Sequence, residues 1–170
     1  KKVGVKVVDE PEEIFRNSDM IVKVKEPQEP EWKMLREDQI IFTYLHLAAD
    51  PKQARGLIDS KCHAIAYETI TDSRGALPLL APMSEIAGRL AVFEGAYHLK
   101  KTCGGPGSLI SGVPGVKPAK VIILGGGMVG TSAAQMAIGV GADVTIFDKS
   151  VERLRYLNDI FCLLYTSDAA

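Results

Sequence analysis

Along the first half of the chain, short apolar runs alternate with segments whose apolar residues recur at helical spacing. The runs "KVGVKVV", "DMIVKVK", "QIIFTYLH" and "AIAYE" predict strands. The segments between them, "EPEEIFRNS", "PEWKMLRED" and "DPKQARGLIDS", predict helices. In the last of these Asp50 is placed to cap the helix and Pro51 to occupy its first position. Strands alternating with helices at this spacing predict βαβ units and a parallel sheet. The near-continuous apolarity of the runs fits strands covered on both faces.

The pattern then breaks at "TITDSRGALPLLAP", which is rich in turn residues. A long helix is predicted over "MSEIAGRLAVFEGAYHLKK", with Ile86, Leu90, Phe93 and Tyr97 along one face. That helix is too apolar to be left bare. A glycine- and proline-rich connection follows, "CGGPGSLISGVPGVKPA". After it the alternation restarts: strand "KVIIL", turn "GGGMVG", helix "TSAAQMAIGVGA", strand "DVTIFD", helix "VERLRYLNDIF". The fold class is therefore α/β, with two Rossmann-like parallel-sheet domains meeting near residue 82. Two strands cannot bury enough apolar surface for an independent sheet, so the second domain, residues 82–161, reads as truncated. The first, residues 1–81, begins without methionine and reads as incomplete at its start. The final "CLLYTSDAA", residues 162–170, continues no pattern and reads as a non-native tail.

Composition narrows the function. The chain has 170 residues, 24% charged and 46% hydrophobic, with a net charge of −1. There is no basic block for nucleic acid and no apolar run near the roughly 20 residues of a membrane helix. Cys62, Cys103 and Cys162 are far apart and not in CxxC spacing, which argues against a disulfide framework and a structural zinc site. No metal is expected, and a cytoplasmic, reducing setting is the default.

"VIILGGGMVG" carries GxGxxG at Gly125, Gly127 and Gly130, between a strand and a helix. The first glycine permits the tight turn, the second lets backbone approach a pyrophosphate, and the third lets helix pack on strand. The helix N-terminus offers free N–H groups and a positive dipole end to phosphate. The next strand ends at Asp148, roughly 20 residues on, where a carboxylate bonds ribose hydroxyls and repels a 2′-phosphate. This predicts NAD rather than NADP. The same residues would also serve a tight βα turn without a ligand.

Three strands of the first half end near a polar residue: Lys25, His46 and Glu68. In a parallel sheet the carboxyl ends of the strands share one edge, where ligands bind. Lys25 could bind a carboxylate or polarise a carbonyl, and His46 could move a proton near neutral pH. A strand-end histidine is also often a hydrogen-bonded structural residue, and a strand-end lysine a solvated one. Glu68 reads as structural, His63 and His98 as surface residues, and "EPQEPE" as a solvated loop.

Across residues 1 to about 161, the stretches "VKVKEP", "FTYLHLAA", "AYET", "LPLLAPMSEIAGR", "SGVPGV" and the glycine turn resemble the alanine dehydrogenase family, in the same order. That resemblance implies oxidative deamination of L-alanine to pyruvate and ammonium with NAD, reversibly. It makes residues 1–81 a substrate-binding catalytic domain and residues 82–161 the start of the NAD-binding one. It implies Lys25 as the substrate-binding lysine and His46 as the acid/base. Ser84, Met128, Val129, Asp148 and Arg153 become cofactor contacts, beside Gly125, Gly127 and Gly130. Arg153 stands where the family usually has lysine, which keeps charge but changes geometry. A hexamer is implied as well. The family's substrate-binding arginine, its catalytic aspartate and its C-terminal return segment have no counterpart here, so this chain alone is expected to be inactive and poorly folded.

Two other readings compete. The α-subunit type of nicotinamide nucleotide transhydrogenase shares the two-domain plan without an amino-acid site, with a saccharopine dehydrogenase more distant. A non-catalytic NAD-binding module would use the glycine turn and Asp148 but need neither Lys25 nor His46.

Overall fold

The structure is a computed structural model that describes residues 3–161 and 165–168. The chain divides into two compact units, residues 1–80 and 81–170.

The first unit holds helix α1 (Pro11–Asn17), strand β1 (Met20–Val22), helix α2 (Glu29–Trp32), strand β2 (Ile40–Thr43), helix α3 (Pro51–Ser60) and strand β3 (His63–Ala66). The strands form a parallel sheet in the order β1-β2-β3, with Ile21 paired to Ile41 and Ile41 to Ala64. Phe15, Ile21, Leu35, Ile41, Leu45 and Leu57 form the core. Asp50 caps α3 as expected, its carboxylate accepting from the backbone N–H groups of Lys52 and Gln53.

The expected strand over "KVGVKVV" does not form: Val3, Val5 and Val7 are exposed, and no sheet among the described residues includes them. An apolar alternation becomes a strand only where another strand takes up its backbone groups. The segment "EPQEPE" is not the solvated loop its composition indicates. Pro27 is buried, and Glu29–Trp32 turn helically behind a capping box in which Gln28 and Glu31 satisfy each other's backbone.

The second unit holds helix α4 (Ala81–His98), strand β4 (Lys120–Leu124), helix α5 (Met128–Gly139), strand β5 (Asp143–Asp148), helix α6 (Val151–Phe161) and strand β6 (Tyr165–Asp168). Its sheet is parallel, in the order β4-β5-β6. The two strands expected here are therefore three: β6 pairs with β5 from Thr145↔Tyr165 to Asp148↔Asp168. Of the tail read as non-native, residues 162–164 and 169–170 lie outside the described residues. The core combines Val92 of α4, Ile123 of β4, Ala133, Ala134 and Ala137 of α5, Val144 and Ile146 of β5, and Leu154 and Leu157 of α6.

Helix α4 forms over the expected stretch but buries a different face. Ile86, Leu90, Phe93 and Tyr97 are all exposed, and Gly88 and Val92 are buried. Small residues decide this. A Cβ on Gly88 would lie 2.2 Å from the Val129 carbonyl oxygen and 2.9 Å from the Ala133 nitrogen. The α4 backbone approaches α5 where side chains are smallest, which large-residue periodicity does not register.

Candidate functional site

The first cluster lies just beyond the carboxyl ends of β1, β2 and β3, all within the first unit. Strand β2 ends at Thr43, which is fully buried. Its hydroxyl donates to the Lys25 carbonyl at 2.9 Å, with the Val24 carbonyl 3.1 Å away. That bond ties the segment after β1 to the end of β2. Three residues further, His46 adopts a left-handed conformation, φ 47° and ψ 41°, and opens a 3₁₀ turn over Leu47–Ala49. Non-glycine residues rarely hold that conformation without support.

The support comes from two buried or half-buried groups. Gln53 of α3 donates from its side-chain amide to the Leu45 carbonyl at 2.7 Å. Glu68, in the 3₁₀ turn Tyr67–Thr69 after β3, accepts from the backbone N–H of His46 at 2.7 Å and of Leu45 at 3.1 Å. Burial raises the Glu68 carboxyl, but the N–H groups of His46, Glu68 and Leu45 outweigh it and hold the group below the usual carboxylate range. Its structural reading fits this geometry, with one addition: the structure it holds is the backbone of His46.

Lys25 and His46 meet through Glu26. One carboxylate oxygen of Glu26 lies 3.6 Å from the Lys25 ammonium, and the other 3.6 Å from Nδ1 of His46. The Tyr44 ring stacks on the imidazole with centroids 6.0 Å apart. Lys25 is 79% exposed and His46 52% exposed in their side chains, so both remain open to a ligand. Sequence reasoning passed over Glu26. The only signal was its place beside Lys25, and only three adjoining strand ends give that place meaning. His63 is exposed and faces Asp38 at 3.5 Å, and His98 is exposed at the end of α4; neither joins the cluster.

The second cluster surrounds the glycine turn, within the second unit. Gly125 has φ +98°, a value that glycine holds without strain. A Cβ on Gly130 would lie 1.8 Å from the Gly125 carbonyl oxygen, so the helix packs on the turn at glycine distance. Gly127 meets nothing within 4 Å of its Cβ position and gives α5 no side-chain cap. The first turn of α5 therefore presents N–H groups beside open backbone. This is the cradle a pyrophosphate requires, so the residues fit a dinucleotide. Ser84 lines a cleft of about 590 Å³ together with Gly125, Gly127, Met128, Val129 and Gly130.

Asp148 and Arg153 do not line that cleft; they hold Gly126. Asp148 accepts from the Gly126 N–H at 2.6 Å and from the Ser150 N–H at 2.8 Å. The Ser150 and Gly126 N–H groups, in that order, draw its carboxyl below the usual range, with Arg153 and Lys149 adding to them. Arg153 donates from Nε to the Gly126 carbonyl at 2.6 Å and from its terminal nitrogen to the Thr131 hydroxyl at 2.7 Å. Its guanidinium lies 4.7 Å from the centre of the Tyr156 ring. Among the described residues no helix is long and apolar enough to cross a membrane.

Two family models match the chain: the N-terminal domain of alanine dehydrogenase/PNT over residues 1–87, and its C-terminal domain over residues 91–166. A protein named alanine dehydrogenase from Methanococcus maripaludis is 52% identical over 158 residues, which are 93% of this chain and 42% of that protein. A solved L-alanine dehydrogenase superposes with a TM-score of 0.86 at 49% identity, over 99% of this chain and 47% of that one. A solved transhydrogenase from Sinorhizobium meliloti superposes at 0.68 with 20% identity, over 90% of this chain and 45% of that one, a likeness of fold. The chain thus spans less than half the length of the relatives it matches.

Proposed function

Because the chain belongs to the alanine dehydrogenase/PNT family, we propose that the whole protein converts L-alanine to pyruvate and ammonium with NAD, reversibly. The observation that carries this reading is the convergence of Lys25 and His46 on Glu26, beyond the ends of parallel strands. An ammonium and an imidazole so placed suit a small amino acid: one fixes its carboxylate, the other moves a proton at its α-carbon substituent. The identity of about half to proteins named alanine dehydrogenase supports it.

Lys25 pairs with the substrate carboxylate and so fixes the position of the α-carbon. Bound NAD supplies the hydride acceptor. The N–H groups of the first turn of α5 hold its pyrophosphate, Asp148 its adenosine ribose, and Ser84, Met128 and Val129 the surfaces beside them. Arg153 keeps the turn in shape through Gly126. His46 takes a proton from the water that adds to the imine carbon of the oxidised substrate, then returns it to the departing amine nitrogen. The same reading carries a cytoplasmic homo-oligomer, a hexamer by resemblance.

The test is alanine-dependent NAD reduction by the complete protein, with His46→Ala in parallel. Turnover by the wild type, abolished in the variant, is the expected result. Absence of alanine turnover with NAD still bound would overturn the reading in favour of a transhydrogenase-like or NAD-sensing protein.

A further inference from the structure

Glu26 holds its carboxylate in an unusual position. Oε2 is buried and accepts no hydrogen bond among the described residues. A buried carboxylate oxygen without a donor is costly. The polar group facing it is Nδ1 of His46, at 3.6 Å, an ion-pair separation rather than a hydrogen bond. The segment cannot easily move away. Pro27, which follows, is buried, and the Lys25 carbonyl before it is tied to Thr43.

Resting on the alanine dehydrogenase reading above, we propose that Glu26 is the positioning residue of His46: its Oε2 receives Nδ1–H, fixes the tautomer that leaves Nε2 free, and stabilises the imidazolium that forms in the reaction. In that step the water oxygen forms a bond to the imine carbon and its proton passes to Nε2. The C=N π pair moves to nitrogen. The extra charge on the ring appears opposite a carboxylate already in place.

The titratable groups around the imidazole leave this task to Glu26. Tyr44 offers the face of its ring. The Glu68 carboxylate is occupied by the backbone N–H groups of Leu45 and His46. The Lys25 ammonium lies at the other oxygen of Glu26. The Glu26 carboxyl sits below the usual range, held there first by its own backbone N–H against the effect of burial, with Lys25 and His46 adding to it. That shift favours its ionised form. When a substrate carboxylate recruits Lys25, His46 remains as the partner of Glu26.

The experiment uses the complete protein with Glu26→Gln, which keeps shape and removes charge, and Glu26→Asp, which keeps charge. The expected result for Glu26→Gln is a fall in kcat of about 10- to 100-fold, a KM for alanine changed less than about threefold, and an acidic limb of the kcat profile moved to lower pH. Glu26→Asp should recover part of the rate and the wild-type limb. In parallel, the rate of diethyl pyrocarbonate modification of the His46 peptide is followed against pH by mass spectrometry, a readout that needs no turnover. Its midpoint should move to lower pH in Glu26→Gln. A midpoint and a kcat limb unchanged in that variant, or equal losses in both variants without a shift, would overturn the proposal. Should the wild type lack alanine turnover, the alanine dehydrogenase reading fails by itself. The modification midpoint then still decides whether Glu26 pairs with His46.

Discussion

Helix α4 contains two glycines that the same substitution should drive in opposite directions. Gly95 meets nothing within 4 Å of its Cβ position, and Gly88 would meet the Val129 carbonyl oxygen at 2.2 Å and the Ser132 Cβ at 2.9 Å. At an open helical position, glycine to alanine gains about 0.5–1 kcal/mol by restricting the unfolded chain. At Gly88 the same gain is available, but a C···O contact near 2.2 Å must open by about 1 Å to reach ordinary distance. Two of the neighbours are α5 backbone, which does not rotate aside. Overpacking of this kind costs about 1–3 kcal/mol. The expected net is a loss of about 1 kcal/mol for Gly88→Ala and a gain of about 0.5–1 kcal/mol for Gly95→Ala. A gap near 2 kcal/mol corresponds to roughly 30-fold in the folding equilibrium. Urea unfolding of the complete protein and both variants, followed by far-ultraviolet circular dichroism, measures it. Because Val129 belongs to the turn cleft, Gly88→Ala should also weaken NADH binding, read by fluorescence titration. A Gly88→Ala variant as stable as Gly95→Ala would refute the reasoning, since the close helix approach could not then be real.

Three further outcomes follow from the two clusters. Thr43→Val removes the donor that ties the Lys25 carbonyl to β2, so stability should fall by about 1–2 kcal/mol and KM for alanine should rise in the complete protein, measured by unfolding and steady-state kinetics. Arg153→Ala frees the Gly126 carbonyl and the Thr131 hydroxyl, and NADH affinity should drop about tenfold with little change in far-ultraviolet circular dichroism, measured by fluorescence titration. The folded Asp148 carboxyl titrates below its ordinary range, so its stabilising contribution is complete above about pH 4 and drains as pH falls through the lower folded value. Unfolding of wild type and Asp148→Asn across that range should therefore show their stability difference shrinking on acidification, and a constant difference would contradict the assignment.

The local rules of the chain were legible without coordinates. Asp50–Pro51 announces the start of α3, because an N-cap and a first-turn proline act within a few residues of themselves. The βα alternation announces parallel sheets, because strands joined through a helix run the same way. Gly125 and Gly130 announce their turn, because the positive φ of the first and the close helix packing at the second require glycine, while Gly127 leaves the backbone between them open. What needed tertiary structure was every choice between equivalent local options. The alternation at "KVGVKVV" is strand-like, yet a strand forms only where another offers its backbone groups. The large residues of α4 make a convincing apolar face, yet the helix buries Gly88, since close approach to α5 is set by the smallest side chains. Glu26 reads as one acid in a loop. It becomes a partner of both Lys25 and His46 only because β1 and β2 lie side by side, bringing residues 20 positions apart in sequence to 3.6 Å in space.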